Sequence, residues 1–259
     1  MILRGNFSSE VLAMSTNVQV FIPERNSAPY RIIYLLHGLH GDQGTWLDNT
    51  MLPVYAKEYN AVFVMPEASR SFYLNLKYGR KYFDYVSDEL PRVCRKIFNI
   101  SANREDTAVM GCSMGGYGSL FLSLSKPEQF GFCGAISSAC LYFKPFLDSV
   151  RADPIGVTKS HPGGEEILVD LLATYGDALG YRPDYDIVEL IKKFPADKPK
   201  PVIFSTCGTE DGLRKENQAF RDEMKITDFN FAYEEWAGDH DWHFFNEALQ
   251  KTLEYWYRA

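Results

Sequence analysis

Short runs of β-branched and aromatic residues alternate along the chain with longer stretches whose apolar positions recur every three or four residues. Val18–Ile22, Ile32–Leu36, Ala61–Met65, Thr107–Met110, Gly134–Ser137, Val202–Thr206 and Phe229–Trp236 are bounded by Gly, Pro or Asn and predict strands. Tyr82–Phe98, Tyr117–Ser125, Arg214–Lys225 and Trp242–Tyr257 carry the helical period, with Pro91 expected to kink or split the first of them. This alternation predicts an α/β fold, a mostly parallel, doubly wound sheet with helices on both faces. No internal repeat or low-complexity tract interrupts it.

One segment does break the rhythm. From Tyr142 to Lys200 the chain is rich in Pro, Gly, aromatic and charged residues without a clear strand, too long for an ordinary connection. It reads as a cap inserted into a single domain spanning residues 1–259, with helices at Glu165–Tyr175 and Tyr185–Lys193. Its aromatics, Tyr142, Phe143, Phe146, Tyr175, Tyr181 and Tyr185, either line a substrate pocket or anchor the insertion to the core.

Composition narrows the function classes. The 259 residues are 46% hydrophobic, enough for a substantial core in one domain. A formal net charge of −7, with no basic stripe to offset it locally, argues against a nucleic-acid partner. The first residues lack an apolar run of signal-peptide length and no segment approaches a membrane span, so the expectation is a cytoplasmic protein with no membrane partner. A homo-oligomer is compatible with this surface, and the sequence leaves the oligomeric state open. The five cysteines, Cys94, Cys112, Cys133, Cys140 and Cys207, sit in apolar contexts without paired spacing, and read as buried thiols rather than metal ligands or a disulfide framework. No cofactor and no metal are expected.

The chemistry concentrates at Gly111-Cys112-Ser113-Met114-Gly115, where a short apolar strand runs into a helical pattern. This is the setting of a nucleophile elbow: a serine on a sharp strand-to-helix turn, small residues two positions away on each side, and helix N–H groups aimed at any oxyanion formed there. A serine hydroxyl needs a general base, and the base needs an acid to orient it. In doubly wound hydrolases the chain order is serine, acid, histidine, each following a strand. Asp211, after the strand Val202–Thr206, takes the second place, with Glu210 as its neighbouring alternative. His240, in Gly238-Asp239-His240-Asp241-Trp242, takes the third. His243 falls within the helical pattern and reads as a surface or packing residue, while Asp239 and Asp241 read as helix caps. His37 and His40 precede the acid and are expected to shape their loop by hydrogen bonding; His161 lies in the cap. The oxyanion donors are assigned to the backbone N–H groups of Met114, after the serine, and Leu39, in His37-Gly38-Leu39-His40-Gly41.

Six segments in register extend this pattern over most of the chain. They are Leu12-Ala13-Met14-Ser15-Thr16-Asn17-Val18; Leu35-Leu36-His37-Gly38-Leu39 with Trp46; Ser71-Phe72-Tyr73 through Glu89-Leu90-Pro91; Gly111 through Gly118; Gly208-Thr209-Glu210-Asp211; and His240-Asp241-Trp242. Together they resemble the esterase family that holds S-formylglutathione hydrolase, tributyrin and feruloyl-type esterases and the mycolyltransferases, and most of all its tributyrin-esterase-like branch. The resemblance implies an α/β-hydrolase with a Ser-Asp-His triad. It also favours His240 over His243, because the family's base precedes an aromatic by two residues, as His240 precedes Trp242. Two features depart from the S-formylglutathione hydrolases: Tyr117 stands where they carry His, and residues 39–44 lack their cysteine.

The expected activity is hydrolysis of short-chain acyl or aryl esters, acetyl, butyryl or feruloyl in type, with a small-molecule ester as partner. A thioesterase or acyltransferase using the same triad is the alternative. A non-catalytic binding protein of this fold would be expected to lack the serine or the histidine, and both are present.

Overall fold

The computed structural model describes the chain except residues 25–26, 160–163, 165 and 259 and the side chain of Thr158. Eight strands form one sheet in the order β1-β2-β4-β3-β5-β6-β7-β8. They are β1 (Ile2–Ser9), β2 (Met14–Phe21), β3 (Arg31–Leu36), β4 (Ala61–Pro66), β5 (Thr107–Cys112), β6 (Phe132–Ile136), β7 (Val202–Gly208) and β8 (Phe231–Trp236). β1 and β2 run antiparallel to their neighbours, and from β4 to β8 every pairing is parallel. The sheet is that of an α/β-hydrolase.

β1 is a strand the hydrophobic pattern did not reveal. It pairs only with β2, and most of its residues are exposed, so it carries no alternation of apolar and polar positions. The Ser9–Ala13 turn that joins it to β2 is instead held by a buried carboxylate. Glu89 accepts from the Ser9 hydroxyl and from the Glu10 N–H at 2.8 Å, while Ser9 Oγ accepts the Leu12 N–H at 2.9 Å.

The connections supply α1 (Thr45–Asn49), α2 (Leu52–Tyr55), α3 (Tyr82–Asp84), α4 (Leu90–Ile97), α5 (Met114–Ser125), α6 (Phe143–Ala152), α7 (Pro154–Lys159), α8 (Glu166–Tyr175), α9 (Ile187–Lys192), α10 (Arg214–Met224) and α11 (Trp242–Arg258). The chain is helical from Tyr82 to Ile97, so Pro91 does not split the helix expected at Tyr82–Phe98 but coincides with a change in its winding. A π-helical turn, Tyr85–Glu89, joins α3 to α4 without a gap, and Pro91, which has no N–H to donate, follows directly after it.

Two apolar layers flank the sheet. On one face α11 buries Phe244, Phe245, Ala248, Leu249, Leu253 and Trp256 with Trp46 and Leu52. Each large side chain there contributes about 1.5–3 kcal/mol through burial. On the other face α5 is buried along nearly its whole length, because the segment between β6 and β7 covers it. Among its described residues that segment holds four α-helices, α6 to α9, rather than the two predicted, and it is tied down from several sides. Arg70 pairs with Asp170 at 2.8 Å, the Tyr117 hydroxyl donates to the Tyr185 carbonyl at 2.5 Å, and the Tyr185 hydroxyl donates to the Asn75 carbonyl at 2.9 Å. Its aromatics divide between the two predicted roles. Phe143, Tyr175 and Tyr185 are buried anchors, Phe143 packing edge-on against Phe72 and Tyr117, whereas Tyr142 and Phe146 line a cavity. Among the described residues no helix is long and apolar enough to cross a membrane.

Candidate active site

β5 delivers Ser113 at the centre of the sheet. Its φ of 56° and ψ of −119° put a non-glycine residue in a sparsely populated conformation, the strain expected of a strand that turns directly into a helix. The glycines on either side make this turn possible. A Cβ on Gly111 would lie 2.5 Å from the Gly115 carbonyl oxygen, and one on Gly115 would lie 2.4 Å from the Leu36 carbonyl oxygen. The turn is fastened by its own backbone: Ser113 N–H donates to Ile136 O at 2.9 Å, and Ser113 O accepts from Gly116 and Ala139 at 2.9 and 3.2 Å.

His240 meets both partners. Its Nε2 lies 3.0 Å from Ser113 Oγ and its Nδ1 lies 2.9 Å from Asp211 Oδ2. The Asp211 side chain is fully buried and that of His240 is one-third exposed. Burial alone would push the Asp211 carboxyl up. The hydrogen bond and charge of His240, with the Leu213 N–H at 2.7 Å from Oδ1, outweigh it and hold the group below its usual range. An ionised carboxylate on Nδ1 keeps the proton there and leaves Nε2 free to accept the serine proton.

The loops that carry these residues are tied to one another. Glu210, the alternative acid, is exposed and its carboxylate is bonded elsewhere than to His240. It accepts from the Thr209 hydroxyl at 2.7 Å and from the Gly238 N–H, so it clasps the β7 loop to the β8 loop. Asp241 caps α11 by accepting the Phe244 N–H at 3.0 Å, whereas Asp239 accepts the His240 N–H at 2.7 Å and so holds the histidine backbone instead. His243 is exposed near the start of α11. His161 lies outside the described residues.

The loop after β3 lies against the serine: a Cβ on Gly38 would touch Ser113 Cβ at 3.5 Å. Three successive carbonyls are held here. Trp46 Nε1–H donates to Leu36 O at 2.9 Å, the Tyr73 hydroxyl to His37 O at 2.9 Å, and the His37 ring to Gly38 O at 2.8 Å. Leu39 N–H belongs to the same peptide unit as Gly38 O, and neither it nor Met114 N–H has a protein acceptor among the described residues. His37 thus shapes its loop by hydrogen bonding, as expected. His40 does not: it is exposed at the rim of the cavity, and its ring has no hydrogen-bond partner among the described residues.

Ser113, His240 and Asp211 open onto a cavity of about 1000 Å³, lined mainly by apolar residues including Leu39, Phe72, Met114, Tyr142, Phe146 and Ile167. Two residues that sequence reasoning did not single out organise its far wall. Asn217, fully buried on α10, accepts the Ser138 N–H at 3.2 Å and donates to Ser138 O at 2.9 Å and Leu213 O at 3.0 Å, joining the acid loop to the loop after β6. Glu216, one residue earlier, accepts the Leu141 N–H at 2.6 Å. Neither occupies a motif position, and α10 carries only an ordinary amphipathic pattern there. Among the described residues no group of three or more His, Cys, Asp and Glu side chains converges as metal ligands would.

Comparison with known proteins agrees with this architecture. Residues 9–255 match the model of the Putative esterase family. The chain is 29% identical over 98% of its length to an acetyl esterase of Caldicellulosiruptor saccharolyticus, covering 97% of that protein. Among solved structures it is similar to FphF, a fluorophosphonate-binding serine hydrolase of Staphylococcus aureus (TM-score 0.83, 26% identity, 99% of this chain and 98% of that one). It is also similar to an S-formylglutathione hydrolase (FrmB) of the same organism (TM-score 0.82, 26% identity, with the same coverage). The chain belongs to the Putative esterase family, and is a serine-type carboxylic ester hydrolase on the α/β-hydrolase fold.

Proposed function

We propose that the chain hydrolyses esters of short acyl or aryl acids, of acetyl, butyryl or feruloyl type, through a Ser113–His240–Asp211 triad and an acyl-enzyme. The observation that carries this reading is the hydrogen-bonded run from Asp211 through His240 to Ser113, open to a largely apolar cavity. In the first half-reaction Ser113 Oγ attacks the ester carbonyl carbon while its proton passes to His240 Nε2. The Leu39 and Met114 N–H groups donate to the oxyanion, and His240 returns the proton to the departing alkoxide. Water then attacks the acyl-enzyme carbonyl, giving its proton to His240, which passes it to Ser113 as the acid leaves.

The acetyl esterase relative supports a short acyl group. The cavity supports an aryl ring or sugar on one side of the ester as well, since its volume is at the upper end of small-molecule sites. A panel of p-nitrophenyl esters of increasing chain length, with methyl ferulate and S-formylglutathione alongside, tests the reading. Turnover of p-nitrophenyl acetate or methyl ferulate well above that of S-formylglutathione is the expected result. The reverse order would assign the triad to a thioester.

A further inference from the structure

Apart from Asp211, which is committed to His240, Glu216 is the carboxylate among the side chains that line the active-site cavity. Its Oε1 accepts both the Leu141 N–H at 2.6 Å and the Tyr142 N–H at 3.3 Å. Its Oε2 has no protein partner among the described residues. Lys215 lines the same cavity but forms no ion pair with it there, and the Tyr142 hydroxyl donates instead to Glu223 at 3.0 Å. The position is close to the chemistry. Ala139 N–H donates to Ser113 O, and only two residues of backbone, at most about 7 Å, separate that amide from the one bonded to Glu216.

A clasp on two backbone N–H groups does not require a carboxylate, because a glutamine oxygen can accept them too, less strongly but without the cost of desolvating a charge. That cost is evident: burial pushes the Glu216 carboxyl up to about 7, against the lowering effect of the two N–H donors. What the carboxylate adds is a second strong acceptor, Oε2, in a wall that is mainly apolar. We propose that Glu216 is a specificity-determining residue whose Oε2 accepts a hydrogen bond from a hydroxyl group of the bound ester. The enzyme is then selective for hydroxylated esters over their plain counterparts. This rests on the esterase reading above and adds to it the substrate class.

The hydroxyl can belong to the acyl or to the alcohol part, and two pairs of esters separate these sources. Methyl 4-hydroxycinnamate against methyl cinnamate varies the acyl side; glycerol monoacetate against propyl acetate varies the alcohol side. For each pair kcat/KM is measured for wild type, Glu216→Gln and Glu216→Ala. The ratio within a pair cancels differences in folded fraction and in the protonation of His240. Wild type is expected to favour the hydroxylated member of one pair by about tenfold, the discrimination a site built around a charged acceptor gives. In both variants the ratio is expected to fall to within about twofold of unity.

A readout on wild type alone stands if the variants fail to fold. The hydroxyl preference should strengthen as pH rises through about 7, where Glu216 ionises. Burial holds the neighbouring Cys140 thiol and Tyr142 phenol protonated and Asp211 is already ionised; His240 acts on both esters of a pair and cancels in the ratio, and Glu216→Gln, which must abolish the pH dependence, separates Glu216 from His40 and Lys215 in the same lining. Absence of a hydroxyl preference in wild type, its persistence in both variants, or a preference indifferent to pH would each overturn the assignment. If the plain esters are hydrolysed and only the ratios fail, Glu216 alone is misassigned. If no ester is turned over, the esterase reading falls with it.

Discussion

The His37 ring donates from Nδ1 to the carbonyl of Gly38 at 2.8 Å while its Nε2 accepts the Ala68 N–H at 3.1 Å, so this buried imidazole is held neutral and in one tautomer. Gly38 O also accepts the Gly41 N–H at 3.0 Å. With its carbonyl gripped from two directions, the Gly38–Leu39 peptide plane has little freedom, and the Leu39 N–H direction is set in advance. In the mechanism proposed above this donor meets the oxyanion, and a preorganised donor stabilises developing charge without reorganising during the reaction.

His37→Ala should therefore lower kcat on p-nitrophenyl acetate by about 10- to 100-fold while changing KM much less. Desolvation by burial lowers the His37 pKa below its ordinary value, so the unfolded chain binds a proton that the native one resists. Its contribution is complete above the unfolded value of about 6.5 and is lost as pH falls toward the lower native value. The difference in Tm between wild type and the variant should shrink on acidification. An unchanged kcat would remove His37 from any positioning role.

Removing the serine or the histidine should be almost equally damaging, because the two act as a unit. Ser113→Ala and His240→Ala are each expected to cost on the order of 10⁶ in kcat, with the double variant little worse. His243→Ala, at an exposed position on α11, should remain within a few-fold of wild type. Activity of a folded Ser113→Ala at even a tenth of wild type would refute the nucleophile assignment, and circular dichroism confirms folding.

Asp211→Asn should cost on the order of 10⁴ in kcat through the wrong histidine tautomer, whereas Glu210→Gln should stay near wild type. The Asp211 pKa is depressed, so its stabilising contribution is present above the ordinary carboxyl range and is lost as pH falls through the lower native value. Thermal melts of wild type and Asp211→Asn should therefore converge in acid. An Asp211→Asn enzyme with full activity would move the acid's role elsewhere.

Gly111→Ala and Gly115→Ala place a Cβ within about 2.5 Å of backbone atoms that cannot move without breaking the elbow. Both should lose soluble, folded protein. Gly212→Ala, with nothing within 4 Å of its added Cβ, should fold normally. Equal melting temperatures for Gly115→Ala and Gly212→Ala would contradict the packing argument.

Much of this molecule was legible as pattern. Local propensity and apolar period exposed the strands from β2 to β8 within a few residues, because each is buried on both faces or ends in Gly, Pro or Asn. They also exposed the elbow, because its turn depends on glycines only two residues from Ser113. Chain order selected Asp211 and His240, since parallel strands put successive loops on the same edge of the sheet. β1 escaped because an exposed edge strand needs no alternation, and α7 because its residues are almost all exposed and leave no apolar stripe; α6 does carry a stripe, Phe143, Leu147 and Val150, but with a proline at 145 in its first turn and another at 154 just past its end.

Only the tertiary structure decided which polar groups meet. The Glu89 clasp on the β1–β2 turn, the Tyr73 hydroxyl on His37 O, the Ala68 N–H on the His37 ring, and the Asn217 amide on Ser138 all join residues far apart in sequence. The same is true of Glu216 at the cavity wall. Hydrophobic burial is non-directional and leaves a periodic trace in the chain, whereas a hydrogen bond between distant residues depends on angles and distances that exist only once the elements have packed.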